Sequence, residues 1–152
     1  MKIYIASDHA GFELKNYLIE LVKVLGHEVE DKGAFSYDPN DDYPDFVVQV
    51  AREISENPDS TKVRGIVLGG SGQGEAICAN RFKHVRAVEY YAPSRGEVSI
   101  IKDSRGHNDS NILSLGARFL TREEAEDAVH LWLETPFSGD ERHIRRINKI
   151  DQ

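Results

Sequence analysis

A buried strand that runs into a glycine-rich turn constrains this chain more than any other feature. Residues 65–68 form the apolar run Gly-Ile-Val-Leu, which is typical of a strand inside a parallel sheet. A helical pattern begins at Glu75, and the turn before it holds glycines at positions 69, 70, 72 and 74. Because glycine has no Cβ and a helix N-terminus presents free N–H groups, an anion can lie almost against such a backbone. These glycines exceed what a plain tight turn needs, so the sequence predicts an anion site.

The glycine spacing differs from the common nucleotide-binding patterns. A dinucleotide fingerprint that started at Gly70 would have Glu75 in place of its last glycine, with a carboxylate close to the pyrophosphate. No Gly-Lys-Ser/Thr follows, which excludes a Walker loop. Glu89, at the end of the next predicted strand, imitates a ribose-binding acid, so a nucleotide-binding module remains an alternative. The favoured interpretation makes Glu75 a base surrounded by N–H groups that stabilise developing negative charge, although the helix dipole alone would also favour a glutamate there.

Strand-like and helix-like patterns alternate along the whole chain. Strands are predicted at residues 2–7, 27–31, 63–68, 85–90 and 111–115. Helices are predicted at residues 12–25, 43–57, 74–82, 94–103, 121–135 and 139–150. Gly26 marks the end of the first helix, and a capping box of Thr121 and Glu124 begins the fifth. The alternation predicts a single α/β domain over residues 1–152, a doubly wound, Rossmann-like parallel sheet of five strands with helices on both faces.

Ligands of such a sheet bind beyond the carboxyl ends of its strands. Asp8 and His9 follow the first strand, the glycine loop follows the third, and Tyr90 and Tyr91 follow the fourth. These segments are therefore predicted to meet at one rim, where Asp8 would handle a substrate hydroxyl and His9 would contact an anion. The plainer alternative is that Asp8 caps the first helix and His9 is an ordinary surface residue.

An unusually polar run, residues 107–111, precedes the fifth strand. A turn accounts for its asparagine and aspartate residues but not for His107. Histidine in a loop at a strand end is a candidate general acid or base, since its pKa lies near neutrality.

The C-terminal segment concentrates positive charge in an otherwise acidic chain. Arg142, Arg146 and Lys149 share one helical face, and Arg118 after the fifth strand could join them. A solvated basic face is the usual meaning of such a pattern. In a protein with 26 acidic and 19 basic residues, arginine forks placed together also indicate phosphate binding.

Composition excludes several functional classes. The formal net charge of −7 argues against general affinity for nucleic acid, and no apolar run approaches the roughly 18 residues of a membrane span. The N-terminus leads directly into a strand and lacks the layout of a signal peptide. The lone Cys78 rules out an internal disulfide and indicates a cytoplasmic protein. It is interpreted as a small buried hydrophobe and not as a nucleophile, and Cys/His spacing for a metal is absent.

Six motifs occur together in this chain in a fixed order. Taken together, they resemble a sugar-phosphate isomerase family, over essentially the whole length of the chain. This family comprises the type B ribose-5-phosphate isomerases and the galactose-6-phosphate isomerase subunits. The motifs are Asp-His-Ala-Gly at 8–11, Asp-Tyr-Pro-Asp at 42–45, the glycine loop at 70–75 running on to Ala79 and Asn80, the polar run at 107–111, Leu-Gly-Ala-Arg at 115–118, and Arg-His-Ile-Arg-Arg at 142–146.

The resemblance implies a cofactor-free, metal-free aldose–ketose isomerase that interconverts ribose 5-phosphate and ribulose 5-phosphate through an enediolate. Many members of the family use a cysteine just before the glycine loop as the base, and that position is Gly70 here. A second branch uses a glutamate at the end of the loop, which matches Glu75. A hexose 6-phosphate of the allose or galactose type remains an alternative substrate. The segment 91–106 is longer than in other members, with residues 93–96 added.

The resemblance also implies roles for the remaining residues. His107 would open the sugar ring with Asp8 nearby, and Asn108 and the loop N–H groups would stabilise the enediolate. The family forms homodimers or homotetramers with sites built from two subunits, so residues 107–118 are expected to act across an interface. The substrate-binding residues implied are His9, Tyr43, Gly70, Ser71, Gly72, Gln73, Gly74, Asn108, Arg118, Arg142 and Arg146, with His9 and the three arginines at the phosphate end.

Overall fold

The structure, a computed structural model, describes residues 1–92 and 99–151, which form one α/β domain. No helix within these residues is long and apolar enough to cross a membrane. The strands are β1 Lys2–Ser7, β2 Glu28–Asp31, β3 Val63–Gly69, β4 Ala87–Tyr90 and β5 Ile112–Gly116. The helices are α1 Phe12–Val24, α2 Tyr43–Glu56, α3 Gln73–Ala79, α4 Ile100–Gly106, α5 Arg122–Glu134 and α6 Glu141–Ile150.

The strands form one parallel sheet in the order β2-β1-β3-β5-β4. The three central strands are almost entirely buried because helices cover both faces. Successive side chains alternate between two apolar clusters, with Ile66 and Leu68 on one face and Val67 on the other. The predicted doubly wound parallel sheet is therefore confirmed, and the carboxyl ends of β1, β3 and β5 lie at one edge.

Two element boundaries differ from the sequence-based expectation around Asn80. Helix α3 ends at Ala79 and not at residue 82, because the next N–H groups bond three residues back, as in Phe82 N–H to Ala79 O at 3.1 Å. Strand β4 begins at Ala87 and not at residue 85. The side chain of Asn80 bonds both the N–H and the carbonyl of Ala87, and the side chain of Asn111 accepts from Arg86 N–H.

Helix α4 begins at Ile100, where Ser99 caps it by accepting a hydrogen bond from the N–H of Lys102. The predicted helix over residues 94–103 is confirmed from Ile100 onward and continues to Gly106, and residues 94–98 of the prediction lie outside the described residues. The added residues 93–96 also lie outside them. The two local signals elsewhere are confirmed, since Thr121 and Glu124 form the capping box of α5 and Gly26 adopts a φ of 85° after α1.

Candidate active site

A cavity of about 420 Å³ opens at the carboxyl edge of the sheet. Segments that follow β1, β3 and β5 reach it because these strands are parallel and end at the same edge, and Tyr43 at the start of α2 also lines it. The prediction of a shared rim is confirmed for Asp8 and the glycine loop, whereas Tyr90 and Tyr91 after β4 line a separate cavity. The residues that line the cavity are Asp8, Tyr43, Gly70, Ser71, Gly74, Glu75, Arg118 and Phe119.

Glu75 is the acidic group at the centre of this cavity, in the first turn of α3. Only 4% of the residue is exposed, and its carboxylate lies against the backbone of Gly69. A Cβ on Gly69 would lie 1.8 Å from Oε1 of Glu75, so only glycine leaves room for the carboxylate. Burial raises the pKa of the Glu75 carboxyl, the charges of Asp8 and Glu89 raise it further, and a bond from its own backbone N–H opposes them. A raised pKa suits a base that must take up and release a proton near neutrality.

The loop between β3 and α3 contains a glycine in the left-handed backbone conformation. Gly72 has a φ of 82°, and its carbonyl accepts a hydrogen bond from the hydroxyl of Ser114 at 2.6 Å. The Ser71 hydroxyl accepts from the N–H of Gln73 at 3.3 Å. This path sets Ser71 and Gly74 on the cavity wall with Glu75 between them and the sheet.

Gly70 has open space on the side that a side chain would occupy. The three heavy atoms nearest to a Cβ built there all belong to Arg118, at 3.4 Å or more, which is an ordinary van der Waals distance. The position therefore has room for a Cβ but has none, and Glu75 is the ionisable side chain of the loop.

Asp8 serves two structural purposes at the end of β1. One carboxylate oxygen accepts from the N–H groups of Ala10 and Gly11, at 2.9 and 3.2 Å, so the residue stabilises the turn before α1. It also lines the cavity and is only 7% exposed. The alternative that Asp8 caps α1 is wrong, because Gly11 is the N-cap and no side chain bonds the first turn of the helix. Asp8 instead stabilises the turn before α1, which is compatible with a functional role in the cavity.

The carboxylate of Asp41 contacts both the ring and the backbone N–H of His9. The sequence did not single out Asp41. Oδ1 of Asp41 lies 2.6 Å from Nδ1 of His9 and also accepts from the His9 backbone N–H at 3.1 Å. Ligand atoms of Asp8, His9 and Asp41 lie within 4.8 Å of one another, the arrangement of a possible cation site. The bonds just described use one oxygen of each carboxylate, and Oδ2 of Asp41 has no partner among the described residues.

Arg118 lies on the same cavity wall as Glu75 of its own chain. Its backbone N–H donates to the Gly70 carbonyl at 3.1 Å, and the preceding residue, Ala117, bonds Gly69 in the same way. The expectation that residues 107–118 act together across an interface is wrong for Arg118. The reason is topological: β5 separates Arg118 from His107, so the two residues leave the sheet at opposite edges.

A second group of functional candidates, here called the tail cluster, gathers at the amino end of β5. The side chain of His107 is 47% exposed, and its ring stacks on that of His143 with centroids 4.5 Å apart and planes 4° apart. Nε of Arg142 donates to Nε2 of His143 at 3.2 Å. The tail cluster consists of His107, Asn108, Arg142, His143 and Arg146, and all but His143 are exposed.

Asp109 anchors the turn that carries His107 and Asn108. Its two carboxylate oxygens accept from the guanidinium groups of Arg105 and Arg86, at 2.8 and 2.9 Å, and from the hydroxyl of Ser60 at 2.6 Å. The sequence explained Asp109 as a simple turn residue. The i, i+4 spacing of Arg105 and Asp109 was the only local signal for this buried network.

Two other residues considered from the sequence are not at the reacting end of the cavity. Cys78 is partly buried against an apolar cluster, and burial followed by the charge of Glu75 raises the pKa of its thiol, which agrees with a packing role. Glu89 lines a separate cavity of about 450 Å³ beside α3, and its Oε1 has no hydrogen-bond partner among the described residues. The Glu75 carboxylate fills the space against Gly69 that a pyrophosphate would approach, which weakens the nucleotide-binding alternative.

Known proteins match this chain over nearly its whole length. A family model described as Ribose/Galactose Isomerase matches residues 3–150. Ribose-5-phosphate isomerase B of Mycolicibacterium paratuberculosis is 41% identical over 97% of this chain and 88% of its own length. The crystal structure of ribose-5-phosphate isomerase B from Mycoplasma genitalium with bound ribulose-5-phosphate superposes with a TM-score of 0.91 at 38% identity, covering 99% of this chain and 93% of that one. The corresponding protein from Thermotoga maritima gives a TM-score of 0.87 at 42% identity, covering 99% and 97%.

Proposed function

Because the chain belongs to the ribose/galactose isomerase family, we propose that it interconverts ribose 5-phosphate and ribulose 5-phosphate, an aldose–ketose isomerisation, with Glu75 as the base. The observation that carries this proposal is the Glu75 carboxylate, buried at the rim of a sugar-sized cavity with its pKa raised by that burial. Relatives that share about 40% of the sequence bear the name of this activity, which supports ribose 5-phosphate as the substrate.

The reaction moves one proton between neighbouring carbons. Glu75 takes the proton from C2 of the open-chain aldose, and the electron pair left behind forms the C1–C2 double bond of an enediolate. The negative charge then resides on O1, where N–H groups of the glycine loop stabilise it. Asp8, on the same cavity wall, passes the hydroxyl proton from O2 to O1. Glu75 returns its proton to C1, and C2 becomes the carbonyl of the ketose.

We propose that a complete site needs two subunits of a homodimer, or of a homotetramer built from such dimers. The cavity with Glu75 and the tail cluster lie at opposite edges of one sheet, so neither can serve the other within a chain. Large apolar side chains are exposed on this part of the surface: Phe119, which lines the cavity, is 60% exposed, and Ile77 on α3, which lines the neighbouring cavity with Glu89, is also 60% exposed. Such a surface suits coverage by a second copy, whose tail cluster would bring His107, Asn108, Arg142 and Arg146 to the sugar.

The substrate assignment is tested by measuring turnover side by side on the 5-phosphate of ribose and the 6-phosphates of allose and galactose. We expect ribose 5-phosphate to give the highest kcat/KM. A higher value for either hexose phosphate would establish the alternative substrate class, and the added residues 93–96 would then be the first place to look for its cause. Titration with NADH addresses the non-enzymatic alternative, because an isomerase binds only the sugar phosphate.

Arg146→Ala should weaken the binding of ribose 5-phosphate and leave the proton transfer largely intact. Loss of a hydrogen bond between a guanidinium and a phosphate costs about 1.5–3 kcal/mol, which corresponds to a rise in KM on the order of 10- to 100-fold. Steady-state kinetics would show this rise with a much smaller change in kcat. Arg52→Ala removes an exposed arginine from α2 and is the matched control. Normal KM with reduced kcat in the Arg146 variant would contradict the phosphate assignment.

A further inference from the structure

His143 joins two residues of the tail cluster to which separate roles are proposed. It faces inward from α6 and is only 3% exposed, although its neighbours along the helix are exposed. One face of its ring lies parallel to that of His107, at 4.5 Å between centroids. Its Nε2 lies 3.2 Å from Nε of Arg142. A single buried imidazole therefore contacts both the expected ring-opening group and an expected phosphate ligand.

The chemistry of the Arg142 contact fixes the state of His143. A guanidinium offers only donors, so Nε2 of His143 must present its lone pair, and the proton of the neutral ring is on Nδ1. Burial lowers the pKa of the His143 imidazole, and the positive charge of Arg142 lowers it further, which favours the same neutral form. The carboxylate of Asp140 lies 3.8 Å from Nε2 and opposes this effect, while Asp103 lies 3.8 Å from Nδ1 of His107.

The neutral ring of His143, which is stacked on the ring of His107, restricts the rotation of the His107 ring. On the other side, the lone pair of Nε2 fixes the direction of the Arg142 fork, although Arg142 is otherwise exposed to solvent. Each contact acts through a different part of the His143 ring, and this separation makes the two effects distinguishable by substitution.

We propose that His143 is a positioning residue that orients His107 through its ring face and Arg142 through Nε2. This inference rests on the roles proposed above for His107 and Arg142. The alternative is a purely structural residue that seats α6 on the domain, and its loss would then loosen the whole tail cluster and impair both roles together.

Two substitutions separate the contacts. His143→Phe keeps a planar ring and removes the acceptor, so KM for ribose 5-phosphate should rise about tenfold with kcat preserved. His143→Gln keeps an acceptor and removes the ring, so turnover of ribose 5-phosphate should fall about tenfold or more with KM preserved. Turnover of ribulose 5-phosphate should be unchanged in the Gln variant, because its phosphorylated O5 cannot close a ring on C2. His130, exposed on α5 beside Glu134, provides matched control variants His130→Phe and His130→Gln.

If KM and turnover of ribose 5-phosphate were impaired equally in both His143 variants, the proposal would be overturned in favour of a structural role. Unchanged kinetics in both variants would overturn it as well. Arg142→Ala gives a second measurement if either variant does not fold. It removes the same contact as His143→Phe and leaves the ring face of His143 in place, so it should raise KM for both sugars and preserve the ratio of their turnovers. A selective loss of ribose 5-phosphate turnover in this variant would overturn the separation of the two contacts. His107→Ala is measured in parallel, since an equal loss on the two sugars in that variant would refute the role of His107 itself and not the role of His143.

Discussion

Glu75→Gln should lower the turnover of ribose 5-phosphate by about 10²- to 10⁴-fold, the usual contribution of a general base. Glutamine matches the size of glutamate and fits the space that Gly69 leaves, but its amide cannot accept a proton from carbon. The KM should change little because the cavity keeps its shape. Steady-state kinetics in both directions measure the effect, and near-normal turnover would remove Glu75 from the mechanism.

The fold of this variant should be at least as stable as that of the original protein. Folding raises the pKa of the Glu75 carboxyl, so the native state binds its proton more tightly than the unfolded state does. The free energy of unfolding therefore falls as the pH rises from the unfolded pKa towards the folded pKa. At neutral pH, which is above the unfolded pKa, the raised pKa of Glu75 therefore destabilises the native state, and glutamine relieves that cost. Thermal unfolding at neutral pH should show an equal or higher Tm, which would separate loss of chemistry from loss of fold.

Glu89→Gln is the matched control for this experiment. It changes a nearby carboxylate that contributes to the raised pKa of Glu75 but lies outside the reacting cavity. Turnover at neutral pH should be retained. Removing its negative charge should move the acid limb of the pH–rate profile to lower pH, because the base then ionises more readily. A collapse of turnover comparable to that of Glu75→Gln would mean that Glu89 has a direct part in the reaction.

Mixing two inactive proteins should restore activity if sites are shared between subunits. One parent carries Glu75→Gln, and the other carries His107→Ala together with Arg146→Ala. In a hybrid dimer one site combines both defects, and the other combines the intact Glu75 of one subunit with the intact tail cluster of its partner. Random exchange of subunits makes about half of the dimers hybrid, and each hybrid has one intact site out of two. About one quarter of the original activity should therefore return.

The hybrid experiment has a clear opposite result. If each subunit built its site from its own residues, every subunit in the mixture would carry a defect and no activity would return. Differently tagged parents allow the hybrid to be purified, and its activity can then be compared with that of each parent at the same subunit concentration. The absence of recovery in a verified hybrid would refute the shared site.

Local patterns were sufficient to predict the sheet and the position of Glu75 at its rim, because those features depend on neighbours in sequence. The apolar run of β3, the glycines after it and the acid at Glu75 follow one another within about a dozen residues, and parallel strand order then places Asp8 at the same rim. The start of β4 was not predictable, since it depends on the amide of Asn80 bonding to Ala87. Hydrogen bonds of this kind between an element and a later strand leave no periodic signal.

The parts of the site that sequence reasoning missed are contacts between distant segments. Asp41 supports His9 across 32 positions, and the stacking of His107 on His143 joins the end of α4 to α6. Contacts of this kind require the packed fold, since many sequences with the same local patterns could dock these segments differently. The grouping of Arg118 with His107 was a different kind of error, because the predicted parallel strand between them already placed the two residues at opposite edges of the sheet.

The two neighbouring glycines at the end of β3, Gly69 and Gly70, differ greatly in the substitutions that they would allow in a redesigned pocket. Position 69 tolerates no side chain while a glutamate is at position 75, since the two would occupy the same volume. At position 70 a Cβ would meet Arg118 at ordinary van der Waals distances, so alanine fits there without displacing the backbone. Redesign of this pocket should therefore begin at the second glycine and leave the first untouched.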